Sequence, residues 1–142
     1  MLTIRKLEKS DAERVIFLIK EFLTKNIVDP EDMPRRMETL SEPGPWQCFV
    51  AEKDGIVVGF GELSWNLKPS KGWIGWIDEI VVDKPFRGQG LCHQILEELL
   101  YVACNRRLAE LWLRTNNEIA KHIYEEFGFS LKQEHLMVKK YY

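Results

Sequence analysis

Cysteine is scarce in this chain: Cys48, Cys92 and Cys104 are the only three, and they stand far apart. No C-x-x-C pair and no Cys/His ligand spacing occurs. A disulfide framework and a metal site are therefore not expected, and the thiols read as reduced, in a cytoplasmic protein. Long apolar runs are missing as well. None approaches the ~20 residues that span a bilayer. The opening M-L-T-I-R-K-L-E-K-S-D has no signal-peptide core, so no membrane association is expected. Charge of one sign is also lacking. Lys and Arg number 20 against 22 Asp and Glu, a net charge of −2. Sequence-independent binding of nucleic acid needs a basic surplus, so no nucleic-acid partner is expected. No repeat, low-complexity tract or long linker divides the 142 residues. A single domain, 1–142, is expected around one core.

What is present reads as mixed α/β. Leu2 to Lys6 suggests a short strand. Ser10 with Glu13 three residues on has the form of a capping box, and Val15, Leu18, Ile19 and Phe22 then share one helical face. That helix is expected to end near Lys25-Asn26. Met33, Met37 and Leu40 fall at helical spacing, with Pro34 tolerable only in the first turn. After the break at Ser41 to Pro45, Trp46–Glu52 and Ile56–Leu63 read as a hairpin about Asp54-Gly55. A turn is expected over Asn66 to Gly72. Trp73 to Val82 is then a long strand, apolar on both faces and so central in its sheet. Its two charges, Asp78 and Glu79, are adjacent, and regular alternation would turn them to opposite faces. A helix from near Leu91 buries Ile95, Leu96, Leu99, Leu100 and Ala103. Glu110 to Thr115 reads as a strand parallel to the long one. Asn116-Asn117 opens a last helix that ends at Gly128. Leu131 to Tyr141 suggests a final strand or hairpin.

The chemistry concentrates where the long strand meets its helix. Asp83-Lys84-Pro85 turns the chain, and Arg87-Gly88-Gln89-Gly90 follows. Glycines there can take positive φ and let a ligand approach the backbone. A strand, a glycine loop and a helix N-terminus together present amides to an anion, and Arg87 adds a full charge. A phosphate or pyrophosphate is the expected guest, although a plain strand-to-helix turn would look the same. A P-loop is excluded because no Gly-Lys-Ser/Thr follows. The dinucleotide fingerprint fails because His93 stands where its third glycine belongs.

The chain resembles the GNAT superfamily of N-acetyltransferases. The family loop, Arg/Gln-x-x-Gly-x-Gly/Ala, corresponds to Arg87-Gly88-Gln89-Gly90-Leu91-Cys92, with Cys92 where a smaller residue is usual. A second pattern, Asn-x-x-Ala-x-x-x-Tyr before Gly-Phe, corresponds to Asn117, Ala120, Tyr124, Gly128 and Phe129. The resemblance covers nearly the whole chain. It implies antiparallel N-terminal strands, a splayed parallel pair around an acyl-CoA wedge, and about four helices. It implies acetyl-CoA as cosubstrate. The pantetheine would lie along Ile80, Val81 and Val82, and the pyrophosphate on the amides of Arg87, Gly88, Gln89, Gly90, Leu91 and Cys92. Asn117 and Tyr124 would face the pantetheine arm, unless Asn117 is only a helix cap.

The implied reaction moves acetyl from the thioester to a primary amine. A lysine-like amine has a pKa near ~10.4, so only about one molecule in ~2500 is neutral at pH 7. A general base is needed. Asp78 and Glu79 are the candidates, with Glu79 preferred for its reach, and a bulge in the strand would change which of them faces the wedge. Tyr124 would be the acid on the departing thiolate, and the Val82 N–H would hold the oxyanion. His93, His122 and His135 have no catalytic or metal context. Asp29, Glu31, Asp32 and Glu38, with Trp65, Trp73 and Trp76, suggest a cationic acceptor, a small molecule or a protein amine. A homodimer is common in this fold. Two rival readings are a CoA-binding domain without turnover and an unrelated phosphate-binding module.

Overall fold

A computed structural model describes residues 1–23 and 26–141. Strand β1 (Leu2–Lys6) leads through a 3-10 turn into helix α1 (Ala12–Phe22), and α2 (Met33–Leu40) follows a second such turn. Three long antiparallel strands come next, β2 (Trp46–Lys53), β3 (Ile56–Lys68) and β4 (Gly72–Val82). Helix α3 (Leu91–Asn105), strand β5 (Glu110–Leu113) and helix α4 (Glu118–Glu126) complete the order. The five strands lie in sequence order in one sheet, antiparallel except for the parallel β4–β5 pair.

The sheet separates two apolar layers. On one face α3 sets Ile95, Leu96 and Leu99 against Leu63 and Ile77. Gly61 lets that helix lie close, because a Cβ there would stand 2.4 Å from Ile95 Cγ2. On the other face Val15, Leu18 and Ile19 of α1 and Met33 and Met37 of α2 cover Cys48, Val50, Phe60 and Val81. Full burial of such side chains is worth about 1.5–3 kcal/mol each, so each helix is held by its apolar stripe.

The expected helices and the first five strands are present, with shifted ends. The hairpin turn after β3 is tighter than expected, since the strand continues to Lys68. Helix α1 ends at Phe22, and half of the Phe22 surface remains open; Lys25, near the expected end, lies outside the described residues. Ser10 and Glu13 do not form the expected box. The Asp11 carboxylate takes the Glu8 N–H at 2.8 Å and is gripped by Arg5 from β1. Asp11 is buried and Ser10 exposed, so the ion pair from the sheet selects the cap. The expected final strand does not form either. Residues 130–141 carry no helix or strand, and Leu131, Leu136, Met137, Val138 and Tyr141 are exposed. Apolar residues make a strand only when paired against an edge, and this segment pairs with no strand among the described residues.

Candidate functional site

β4 and β5 pair only where Ile74–Ile77 meets Glu110–Leu113. Beyond Ile77, β4 runs on to Val82 with no strand on that side among the described residues. The Asp83 N–H donates to the Val58 carbonyl of β3 at 2.8 Å. Strand alternation then turns the N–H and C=O of Val82, and of Ile80, away from β3 and into the gap. Arg87 reaches back here, its Nε donating to the Val82 carbonyl at 2.9 Å. The N–H groups of Ile80 and Val82 thus line an open wedge. The Val81 side chain is buried against the α1 layer and anchors the strand.

The loop at the wedge mouth has the shape that its glycines suggest. Gly88 and Gly90 adopt φ of +76° and +81°. Both face open space where a Cβ would stand. Gln89 ties the loop down through the Pro85 carbonyl, and Leu91 plugs into the core. Among the described residues, nothing accepts from the amides of residues 88 to 93. With the α3 dipole behind them they form a cradle for an anion. The half-buried Cys92 thiol is pushed up by burial, so it stays protonated and unreactive.

Asn117 caps α4, its side-chain oxygen accepting from the Ile119 and Ala120 amides at 2.9 and 3.0 Å. Tyr124 is buried, edge-on to Phe129 at 6.0 Å. Burial, and then the nearby Cys92, pushes its phenol up to about 12. No described residue accepts from its hydroxyl, so the proton is free for a guest. His93 of α3 meets Glu126 of α4, and His122 meets the same carboxylate within α4. His135 lies in the exposed C-terminal segment.

A β-bulge overturns the expectation that Asp78 and Glu79 point to opposite faces. Glu62 of β3 pairs with Asp78 and Phe60 with Val81, so Glu79 and Ile80 together oppose Gly61. Glu79 sits in the left-handed region at φ +46°. Ile77 therefore packs in the α3 layer while Val81 packs in the α1 layer. Gly61 faces Ile95 of α3, so Glu62 and its partner Asp78 face the other way. Glu79 lines a pocket with α1 and α2 residues on that same side. Three carboxylates share one face beside the wedge.

Glu62 is absent from the sequence-based candidates, although it is the only charge in Ile56–Leu63. It is half-buried. Burial, then the Glu79 and Asp78 carboxylates, push its carboxyl up to about 7. Glu79 is open to solvent at its edge, yet its carboxyl is enclosed enough that burial, then Asp78, raises it. Burial, with Glu62 and Glu79, also raises the Cys48 thiol behind them.

The pocket at Glu79 has a volume of about 160 Å³. Ile19 and Leu23 form one wall, Met33, Met37 and Leu40 another. Arg36 also lines it but is engaged by Asp32 at 3.3 Å. Two of the four acids that the sequence suggested for the acceptor are paired elsewhere: Asp32 with Arg35 and Arg36, Glu38 with Lys9. Trp65 is buried beneath Arg106, and Trp76 stacks with Trp112 at 5.8 Å. Among the described residues, no helix is long and apolar enough to cross a membrane.

Comparison with known proteins follows the same lines. The profile of the acetyltransferase (GNAT) family matches residues 10–129. An uncharacterized N-acetyltransferase of Methanocaldococcus jannaschii is 34% identical over 89 residues, 60% of this chain and 39% of the relative. The match thus spans well under half of that relative's length. Glucosamine-6-phosphate N-acetyltransferase from Arabidopsis thaliana superposes with a TM-score of 0.82 at 28% identity, over 99% of both chains. A predicted acetyltransferase of Clostridium acetobutylicum, solved with acetyl-CoA, superposes at 0.83 over 98% of this chain and 96% of its own, at 18% identity.

Proposed function

Because the chain belongs to the acetyltransferase (GNAT) family, we propose that it transfers the acetyl group of acetyl-CoA to a primary amine. The observation that carries this reading is the placement of three carboxylates at the bulge, beside the point where β4 parts from β5. Pantetheine amides would bond to the exposed edge of β4 at Ile80 and Val82, and the pyrophosphate would take the loop amides from Arg87 to Cys92.

The acceptor arrives as an ammonium ion. Glu79, at the pocket, takes its proton directly or through water, with Glu62 and Asp78 sharing the charge. A base whose pKa lies near the working pH is the most effective, typically worth ~10²–10⁴-fold, and the raised carboxyls of Glu62 and Glu79 suit that task. The neutral nitrogen then attacks the thioester carbon. The carbon–sulfur bond breaks, the nitrogen gives up its second proton to solvent, and the N-acetyl amide and the CoA thiolate form. The Val82 N–H receives the developing oxyanion. A phenol with a pKa of about 12 holds its proton against a thiol, whose ordinary pKa is ~8.5. Tyr124 therefore donates a hydrogen bond to the departing sulfur, and the proton reaches it later from solvent.

Calorimetric titration with acetyl-CoA, with CoA and ATP as controls, tests the wedge. Saturable binding of acetyl-CoA without ATP binding is expected. Released thiol across a panel of amines then tests turnover. Absence of binding by either CoA species would reduce the glycine loop to an ordinary turn.

A further inference from the structure

The pocket beside Glu79 carries more than a charge. Its walls come from two helices that meet over the sheet: Ile19 and Leu23 from the α1 side, Met33, Met37 and Leu40 from α2. Ile19, Met33 and Met37 are nearly fully buried, while Leu23 and Leu40 form a half-buried rim. Its polar lining residues are Glu79, Asn26 and Arg36, and of these the Glu79 carboxylate is the one that can take a proton from a substrate amine. The cationic lining residue among those described, Arg36, is already held by Asp32. A volume of about 160 Å³ compares with the ~150 Å³ apolar cavity that accepts a benzene ring.

We propose that the acetyl acceptor is a primary amine on a compact apolar arm of about six to eight carbons, an arylalkylamine or branched alkylamine, seated between α1 and α2 with its nitrogen at Glu79. This rests on the acetyl-transfer reading and names its substrate class. The bulge is what makes the arrangement work. By placing Glu79 on the α1–α2 face, it joins a carboxylate to an apolar cavity and leaves the nitrogen beside the β4 edge. A second cationic centre on the acceptor would be driven among Ile19, Met33 and Met37 with nothing to pair it, which is strongly unfavourable. A sugar hydroxyl seated among the same apolar side chains would leave hydrogen bonds unmade, since Asn26 lines the pocket from an exposed position. Polyamines and aminosugars are therefore poor fits.

The test uses the whole chain with saturating acetyl-CoA and thiol release as readout. Phenethylamine, hexylamine, ethylamine, spermidine and glucosamine 6-phosphate serve as acceptors. Phenethylamine is expected to exceed spermidine and the aminosugar in kcat/KM by at least tenfold. Leu40→Trp, at the rim, narrows the cavity. It is expected to raise the KM for phenethylamine about tenfold, leaving the KM for ethylamine and the calorimetric affinity for acetyl-CoA unchanged; that retained affinity also shows the variant folded. Preference for spermidine or the aminosugar overturns the apolar acceptor and leaves the acetyl-transfer reading standing. An unchanged amine preference in Leu40→Trp does the same. Acetyl-CoA binding with no amine acetylated, or no acetyl-CoA binding, overturns both.

Discussion

Glu62 is the residue whose environment departs furthest from its ordinary chemistry. A carboxyl pushed up to about 7 binds a proton in the folded chain that the unfolded chain has released above its usual pKa of ~4.3. Folded stability is therefore complete below that value and is lost as pH rises through about 7. Glu62→Gln removes the penalty. Its stabilisation should be near zero at pH 4 and reach on the order of 2 kcal/mol at pH 8, seen as a Tm gain that grows with pH. A gain independent of pH would mean that the carboxyl is not strained by its neighbours. Tyr124 makes the complementary case. Its phenol is held neutral by burial, so the hydroxyl acts by donating, and Tyr124→Phe should lower kcat about tenfold with little change in the KM for acetyl-CoA. An unchanged kcat would remove it from the reaction. The Tyr124 position was legible in the sequence because a spaced motif marked it. Glu62 was not, since its meaning arises only when the β3–β4 register brings it opposite Asp78.

At the scale of the element, the bulge in β4 and the loop before α3 both depend on left-handed backbone. They differ in who occupies it. At the loop, glycines sit where glycine is favoured, and that was readable directly. Gly90 holds φ +81° with open space about it, so substitution there acts through conformation and not through collision. Gly90→Val should cost about 1–2 kcal/mol of stability and weaken acetyl-CoA in calorimetry at least tenfold; equal affinity would detach the loop from the phosphates. At the bulge, a glutamate takes φ +46°, a conformation that glycine would accept without strain. Strain of this kind persists where function requires it. Glu79→Gly is expected to stabilise the fold by ~0.5–1 kcal/mol while lowering kcat by ~10²-fold. Loss of stability together with activity would make Glu79 a structural residue. The bulge could not be placed from sequence because β4 is apolar on both faces, so a one-residue slip leaves the pattern unchanged.

Across the whole molecule, the helices, the hairpin and the parallel closing pair were legible because helix and strand periods are strong and each stripe found a partner. The C-terminal segment shows where that logic stops. Its apolar residues suggested a strand, yet a strand needs an edge, and β5 offers only Glu110–Leu113. The side chains that would have packed stay in solvent, with Leu131 74%, Leu136 69% and Met137 88% exposed. The last apolar anchor is Phe129, set against Tyr124. Stability follows buried area, so the chain beyond Ser130 contributes little to a single folded copy. Truncation after Ser130 should move Tm by less than about 2 °C, because only a fraction of a kcal/mol is at stake, and should leave acetyl-CoA affinity unchanged. A fall of 5 °C or more would mean that these residues dock in solution. If that fall steepened on dilution of the intact protein, a second copy would be the surface on which they dock.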